Sequence, residues 1–160
     1  MTTSDEFGSA LTAMIEGGGS FLFGTVGADG APRATRAWAV SVVDAAARRL
    51  RVAVTADDAT VVANLERDWV TFTGANVRTF RSLQMKGRVL AVEPPTVDDQ
   101  VVMDEQIGAF FTAVIEVDNT PLVGLRRMLP AEVLMVDMIV DQEFDQTPGP
   151  SAGASLRAAP

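Results

Sequence analysis

Hydrophobic and polar positions change period several times along the chain, and each change marks an element. Phe7, Leu11, Met14 and Ile15 recur at helical spacing between Ser4, a capping residue, and the stop at Gly17, Gly18 and Gly19. A first helix therefore runs from Ser4 to Glu16. Alternation with a period of two takes over in Phe21 to Val26 and Pro32 to Val43, joined by a turn holding Asp29-Gly30, which is a hairpin signal. A second reversal, Asp44 to Arg49, leads into Leu50 to Thr55 and completes an antiparallel meander. Asp57 or Asp58 then caps a short helix of about ten residues with Val61, Val62 and Leu65 on one side. Trp69 to Ala75 and the long run Thr79 to Glu93 supply two more strands, the second ended by Pro94-Pro95. Thr96 with Asp99 three residues on forms a capping pair for the longest helix. Its broad apolar side is marked by Val102, Gln106, Phe110 and Val114 or by Met103, Ile107, Phe111 and Ile115. Asn119-Thr120-Pro121 starts a short helix, and Ala131 to Asp141 is the last strand.

Six strands joined mostly as hairpins, with helices between and around them, predict an α+β protein built on a closed or split β-barrel, antiparallel and six-stranded, with flanking helices. A parallel doubly wound sheet is disfavoured, because the connections at Asp29-Gly30 and at Asp44 to Arg49 are too short for crossovers. One domain is expected over residues 1–142. Residues 143–160 form a tail rich in Pro, Gly, Ser and Ala without periodicity.

Composition narrows the chemistry. The net charge of −8 repels nucleic-acid phosphates and anionic lipid alike, so neither is an expected partner. No run reaches the roughly 20 apolar residues of a membrane span, and the opening residues are acidic where a signal peptide is basic, which points to a cytoplasmic protein. With no Cys, His or Tyr there is no ordinary zinc site, thiol nucleophile, imidazole base or phenol, and no metal site is expected. No catalytic residue stands out. Catalysis would rest on carboxylates, Lys, Arg and backbone, or on a bound cofactor.

Alternation in Pro32 to Val43 puts Arg36, Trp38, Val40 and Val42 on one face; a guanidinium there either pairs with an acid or meets an anionic ligand. In the run Thr79 to Val89, Ser82, Gln84, Lys86 and Arg88 share a face opposite Leu83, Met85 and Val89. That polar face is either solvated or the lining of a cleft. The turn into the second helix is a natural anion site, but Asp57 and Asp58 work against it.

The segments Gly24 to Trp38, Leu50 to Asp68, Thr79 to Val89 and Phe144 to Pro150, in this order, resemble the pyridoxamine 5'-phosphate oxidase-like family, whose fold is the FMN-binding split barrel. The likeness covers Gly19 to Val92. It implies a homodimer with cofactor clefts at the interface, a small-molecule substrate, and FMN or, alternatively, a deazaflavin. By position, Arg36 matches the family's arginine of the second strand and Val54 and Thr55 match the pair ending the third, while Ser82 stands in the place of a glutamine. Gln84 and Lys86 would face the flavin ring or the substrate space, Trp38 would pack nearby, and Thr60 would offer a hydroxyl. The departures are specific. Thr60 and Val61 replace an Arg-Lys pair that holds the phosphate, and Ser41 replaces a lysine, leaving Arg36, Arg33 and the hydroxyls of Thr55 and Thr60. Haem, bound by some members, is disfavoured by the missing axial ligands. Vitamin B6 oxidation is not implied, because the C-terminus offers Arg157 and no His. An FMN-dependent oxidoreductase leads; a non-catalytic binding protein and a deazaflavin-dependent reductase are the alternatives. Phe144 to Pro150 is expected to pack on the barrel or a partner subunit.

Overall fold

The computed structural model describes residues 4–67 and 69–156, with the side chains of 4–6 excepted, so the Ser4 cap and Arg157 lie outside the described residues. The elements are α1 (Ser4–Glu16), β1 (Gly19–Val26), β2 (Pro32–Asp44), β3 (Arg49–Thr55), α2 (Ala59–Asn64), β4 (Trp69–Asn76), β5 (Ser82–Glu93), α3 (Val97–Asp118), α4 (Leu122–Arg126) and β6 (Val133–Asp145). The strands close into an antiparallel barrel in the order β1-β2-β3-β6-β5-β4. This is the α+β barrel with flanking helices that the alternating runs predict.

Two apolar clusters hold it. Inside the barrel, Phe21, Phe23, Leu50, Val52, Phe72 and Met138 interlock, and Phe7, Leu11 and Met14 of α1 plug one end. Burying one such side chain contributes about 1.5–3 kcal/mol, and a closed barrel removes the exposed strand edges as well. Glu143 is buried at that end and pairs with Arg48, whose guanidinium lies 4.4 Å over the Phe7 ring. Outside the barrel, α3 and α4 cover part of β2, β3 and β6 through Trp38, Ala39, Ala53, Met103, Phe110 and Leu125. The capping box of Thr96 and Asp99 is formed, as its spacing predicts. Among the described residues no helix is long and apolar enough to cross a membrane.

Strict alternation fails in β2. A bulge between Ala37 and Ala39 places Trp38 and Ala39, consecutive residues, both under α3, after which Val40 and Val42 turn into the barrel. Arg36 and Trp38 therefore share the outer face without Val40 and Val42, because the inserted residue reverses the parity of everything after it. Gln106 of α3 serves the bulge. Its amide accepts from the Val40 N–H at 3.0 Å and donates to the Val40 carbonyl at 2.9 Å.

Other boundaries move for local reasons. Helix α2 has six residues rather than about ten, and β5 begins at Ser82. Asn76 closes the preceding turn by accepting from the N–H groups of Arg78 and Thr79, with Phe80 at φ +59°. Strand β6 continues to Asp145 because Phe144 pairs with Gln84 and Asp145 with Leu83. The chain then folds back: the Gln146 N–H donates to the Ser82 carbonyl, the Asp145 N–H to the Ala154 carbonyl and the Leu156 N–H to the Glu143 carbonyl.

Candidate functional site

Helices α3 and α4 leave the outer faces of β1, β4 and β5 uncovered, and the register of the strands aligns side chains there in rows. One row runs from Arg36 of β2 to Leu22 of β1, Thr73 of β4, Gln84 of β5 and Phe144 of β6, each facing the next. The distance from Arg36 to Gln84 is three interstrand steps, roughly 14 Å along the sheet. A neighbouring row contains Gly24, Thr71, Lys86 and Gln142. Leu22, Thr73 and Gln84 of the first row and Gly24, Thr71 and Lys86 of the second line a groove of about 610 Å³, to which the exposed Trp69 and Val26 and also Arg33 contribute.

Arg36 stands at the β2 end of the first row, beyond the residues that line the groove. Its guanidinium carbon lies 5.4 Å from the Trp38 ring and 5.3 Å from the Phe110 ring, so it is held between two aromatic faces. Burial pushes it down from its ordinary pKa. Among the described residues no carboxylate comes within 4.0 Å of it; the ion pairs there involve Arg48, Arg49, Arg51, Arg78 and Arg88 instead. A partly desolvated cation without an acid is a place where an anionic ligand group gains most. The Trp38 indole N–H donates to the Thr55 hydroxyl at 2.8 Å, which fixes the ring that Arg36 lies over.

Gln84 and Lys86 share the groove. The Gln84 amide donates to the Thr73 hydroxyl at 3.3 Å, and the Lys86 ammonium lies 5.0 Å from the centre of the Phe144 ring. Ser82 is not with them. It opens into a smaller cavity of about 240 Å³ between α1 and the C-terminal fold-back, with its hydroxyl donating to the Phe80 carbonyl. Val54 is inside the barrel core, which leaves only its backbone to meet a ligand.

The start of α2 is occupied by the chain itself. Asp58 caps the helix by accepting from the Thr60 N–H at 2.8 Å and the Val61 N–H at 3.4 Å. Asp57 accepts from the N–H groups of Ala131 and Glu132 at 3.2 and 2.9 Å and so ties the start of β6 to this turn. Thr60 remains exposed beside two carboxylates. The donors that would cradle a phosphate at this helix are spent on Asp58. A flavin-class cofactor therefore meets a mixed fit: Arg36, Thr55, Thr73 and Gln84 suit a planar polar ring with one anionic contact, while the second helix offers no phosphate cradle.

Phe110, Thr73 and Phe144 carry the site as much as the residues legible in sequence. Phe110 belongs to a plain apolar helix face and Thr73 to a plain strand; only the barrel's closure reveals what they touch.

Against known structures, the chain superposes over 91% of its length on 91% of a protein from Clostridium acetobutylicum related to general stress protein 26 of B. subtilis and described as of the pyridoxinephosphate oxidase family (TM-score 0.53, 9% identity). The fold is the split β-barrel of that family. HupZ of Group A Streptococcus matches over 96% of this chain and 100% of its own, with TM-score 0.53 and 12% identity. No family model and no curated relative matches the sequence. At these identities the shared feature is the barrel, and the ligand has to be argued from side chains.

Proposed function

We propose that the protein is an oxidoreductase that binds a flavin-class cofactor, FMN or a deazaflavin, on the uncovered sheet face, with a second copy of the chain completing the cleft. The observation that carries this reading is Arg36: a guanidinium stacked between Trp38 and Phe110 with no acid partner, at the head of a row of hydrogen-bonding side chains. Arg36 would hold the cofactor's anionic group, Thr55 would add a hydroxyl to it, and Thr73 and Gln84 would fix the ring edge. When bound, such a cofactor supplies hydride transfer. The chain's own residues bind, orient and exclude water. Leu22 and Val26, about half exposed on this face, are the surface a second copy would cover.

The test is the absorbance and fluorescence of the purified protein before and after incubation with FMN, or with the deazaflavin, and desalting. About one retained cofactor per subunit in wild type, lost in Arg36→Met, supports the reading. Retention of neither cofactor refutes it. A second reading, a ligand carrier without redox activity, draws on Asp58, which consumes the N–H groups of Thr60 and Val61. Oxidation of a reduced nicotinamide by the loaded protein would exclude the carrier.

A further inference from the structure

The chain has 13 cationic side chains, and Lys86 is its one lysine. It stands on the open sheet face, half-buried, with its ammonium 5.0 Å from the Phe144 ring and no carboxylate within salt-bridge distance among the described residues. Its facing neighbours are uncharged: Thr71 on β4 and Gln142 on β6. The acids flanking Gln142 on β6 are matched elsewhere, Asp141 to Arg88 at 3.0 Å and Glu143 to Arg48. In a chain of net charge −8, a groove that contains an unpaired ammonium and no facing acid selects anions against the field of the rest of the molecule.

Lys86 is also separate from Arg36. The two are on strands three steps apart and in different rows, roughly 15 Å from each other along the sheet, so one anionic group cannot engage both. Trp69, half exposed, lines the same groove two residues along β4 from Thr71, which faces Lys86. An ammonium with an exposed indole beside it accommodates an aromatic body bearing an anionic head.

We propose that Lys86 is the specificity residue for the second ligand of the cleft, and that this ligand is a small aromatic anion, its carboxylate or phosphate held by Lys86 and its ring laid against Trp69. As the substrate of a bound cofactor this ligand rests on the reading of the preceding subsection; as a ligand it does not. The ammonium contributes a charge-assisted hydrogen bond, and Thr71, directly across, can share the anion's remaining lone pairs.

The experiment is calorimetric titration of the full chain with 2-naphthoate, 2-naphthyl phosphate and the neutral 2-naphthamide, in wild type, Lys86→Gln and Lys86→Arg. Retention of FMN and of the deazaflavin is measured on the same samples. The expected result is that one of the anions binds wild type at least tenfold tighter than the amide, that Lys86→Gln removes this preference by about tenfold, and that Lys86→Arg restores most of it. Whichever anion is preferred identifies the head group. Equal affinity for anion and amide in wild type, or an anion preference that survives in Lys86→Gln, overturns the proposal. Lys86-dependent anion binding without retention of either cofactor supports it while refuting only the cofactor reading.

Discussion

Replacing Arg51 by methionine should destabilise the protein in a pH-dependent way. Arg51 projects from β3 and grips Asp99 at the start of α3 with two bonds, at 2.9 and 3.0 Å; its third nitrogen reaches Asp137 of β6 at 2.9 Å and Glu93 at 3.3 Å. The Arg51, Asp99 and Asp137 side chains are 13–16% exposed, so water screens them little, whereas Glu93 is 58% exposed and adds little. Methionine preserves the stem's packing and removes the charge, leaving Asp99 without a cation and Asp137 with only Arg49 at 3.9 Å. Breaking a fully buried pair costs about 3–5 kcal/mol, and with the exposure here roughly 2–3 kcal/mol is expected at pH 7. For a domain of this size that lowers Tm by about 5–10 °C.

The sign with pH follows from Asp99. Arg51, and then the Thr96 bonds, hold its carboxyl down at about 2 from 3.8. A carboxyl depressed in the folded state contributes stability that is complete above its unfolded pKa and is lost as pH falls through its folded value. In wild type this contribution fades between pH 4 and about 2. Without Arg51 the carboxylates protonate earlier, so the gap between variant and wild type should narrow over that window. Thermal unfolding followed by circular dichroism at pH 7, 4 and 3 measures it. A Tm change under 2 °C at pH 7, or a gap that stays constant down to pH 3, would refute the account of the network. Because α3 also carries Phe110, the variant should loosen the Arg36 sandwich and weaken cofactor retention along with stability.

Three further outcomes are expected. A Cβ at Gly87 would lie 1.8 Å from the Ile139 carbonyl oxygen, so Gly87→Ala should cost roughly 3 kcal/mol or more, read as poor soluble yield or a large Tm drop. Gln106→Leu preserves the helix face but strands the Val40 N–H and carbonyl at the bulge, a loss of roughly 2–4 kcal/mol in chemical denaturation; an unchanged midpoint would mean water replaces the amide. Arg36→Met should leave stability within about 1 kcal/mol, since it removes a desolvated cation with no acid partner, while weakening cofactor retention by about tenfold; unaltered retention would place the anionic contact elsewhere.

The chain's own patterning determined the elements, because period and capping are local. The hairpin at Asp29-Gly30, the capping box of Thr96 and Asp99 and the strand-forming runs needed no tertiary information. The polar face of β5 was legible too, since Met85 goes to the core and Gln84 and Lys86 to the groove by parity alone. Parity is fragile, however. One bulge at Trp38 separated Arg36 and Trp38 from Val40 and Val42, and no residue type there announces an insertion, because the bulge is held by Gln106 from 66 positions away. The same holds for the site's other members. Phe110 meets Arg36 only after α3 has packed across β2, and Ser82 parts from Gln84 only because the C-terminus folds back over it. The sequence left the cap to Asp57 or Asp58; Asp58 takes it, and Asp57 ties the start of β6 to this turn through contacts that join distant segments. Local rules select each strand; closing the barrel decides which side chains face one another, because that depends on register, and register is a property of pairs of strands rather than of either one.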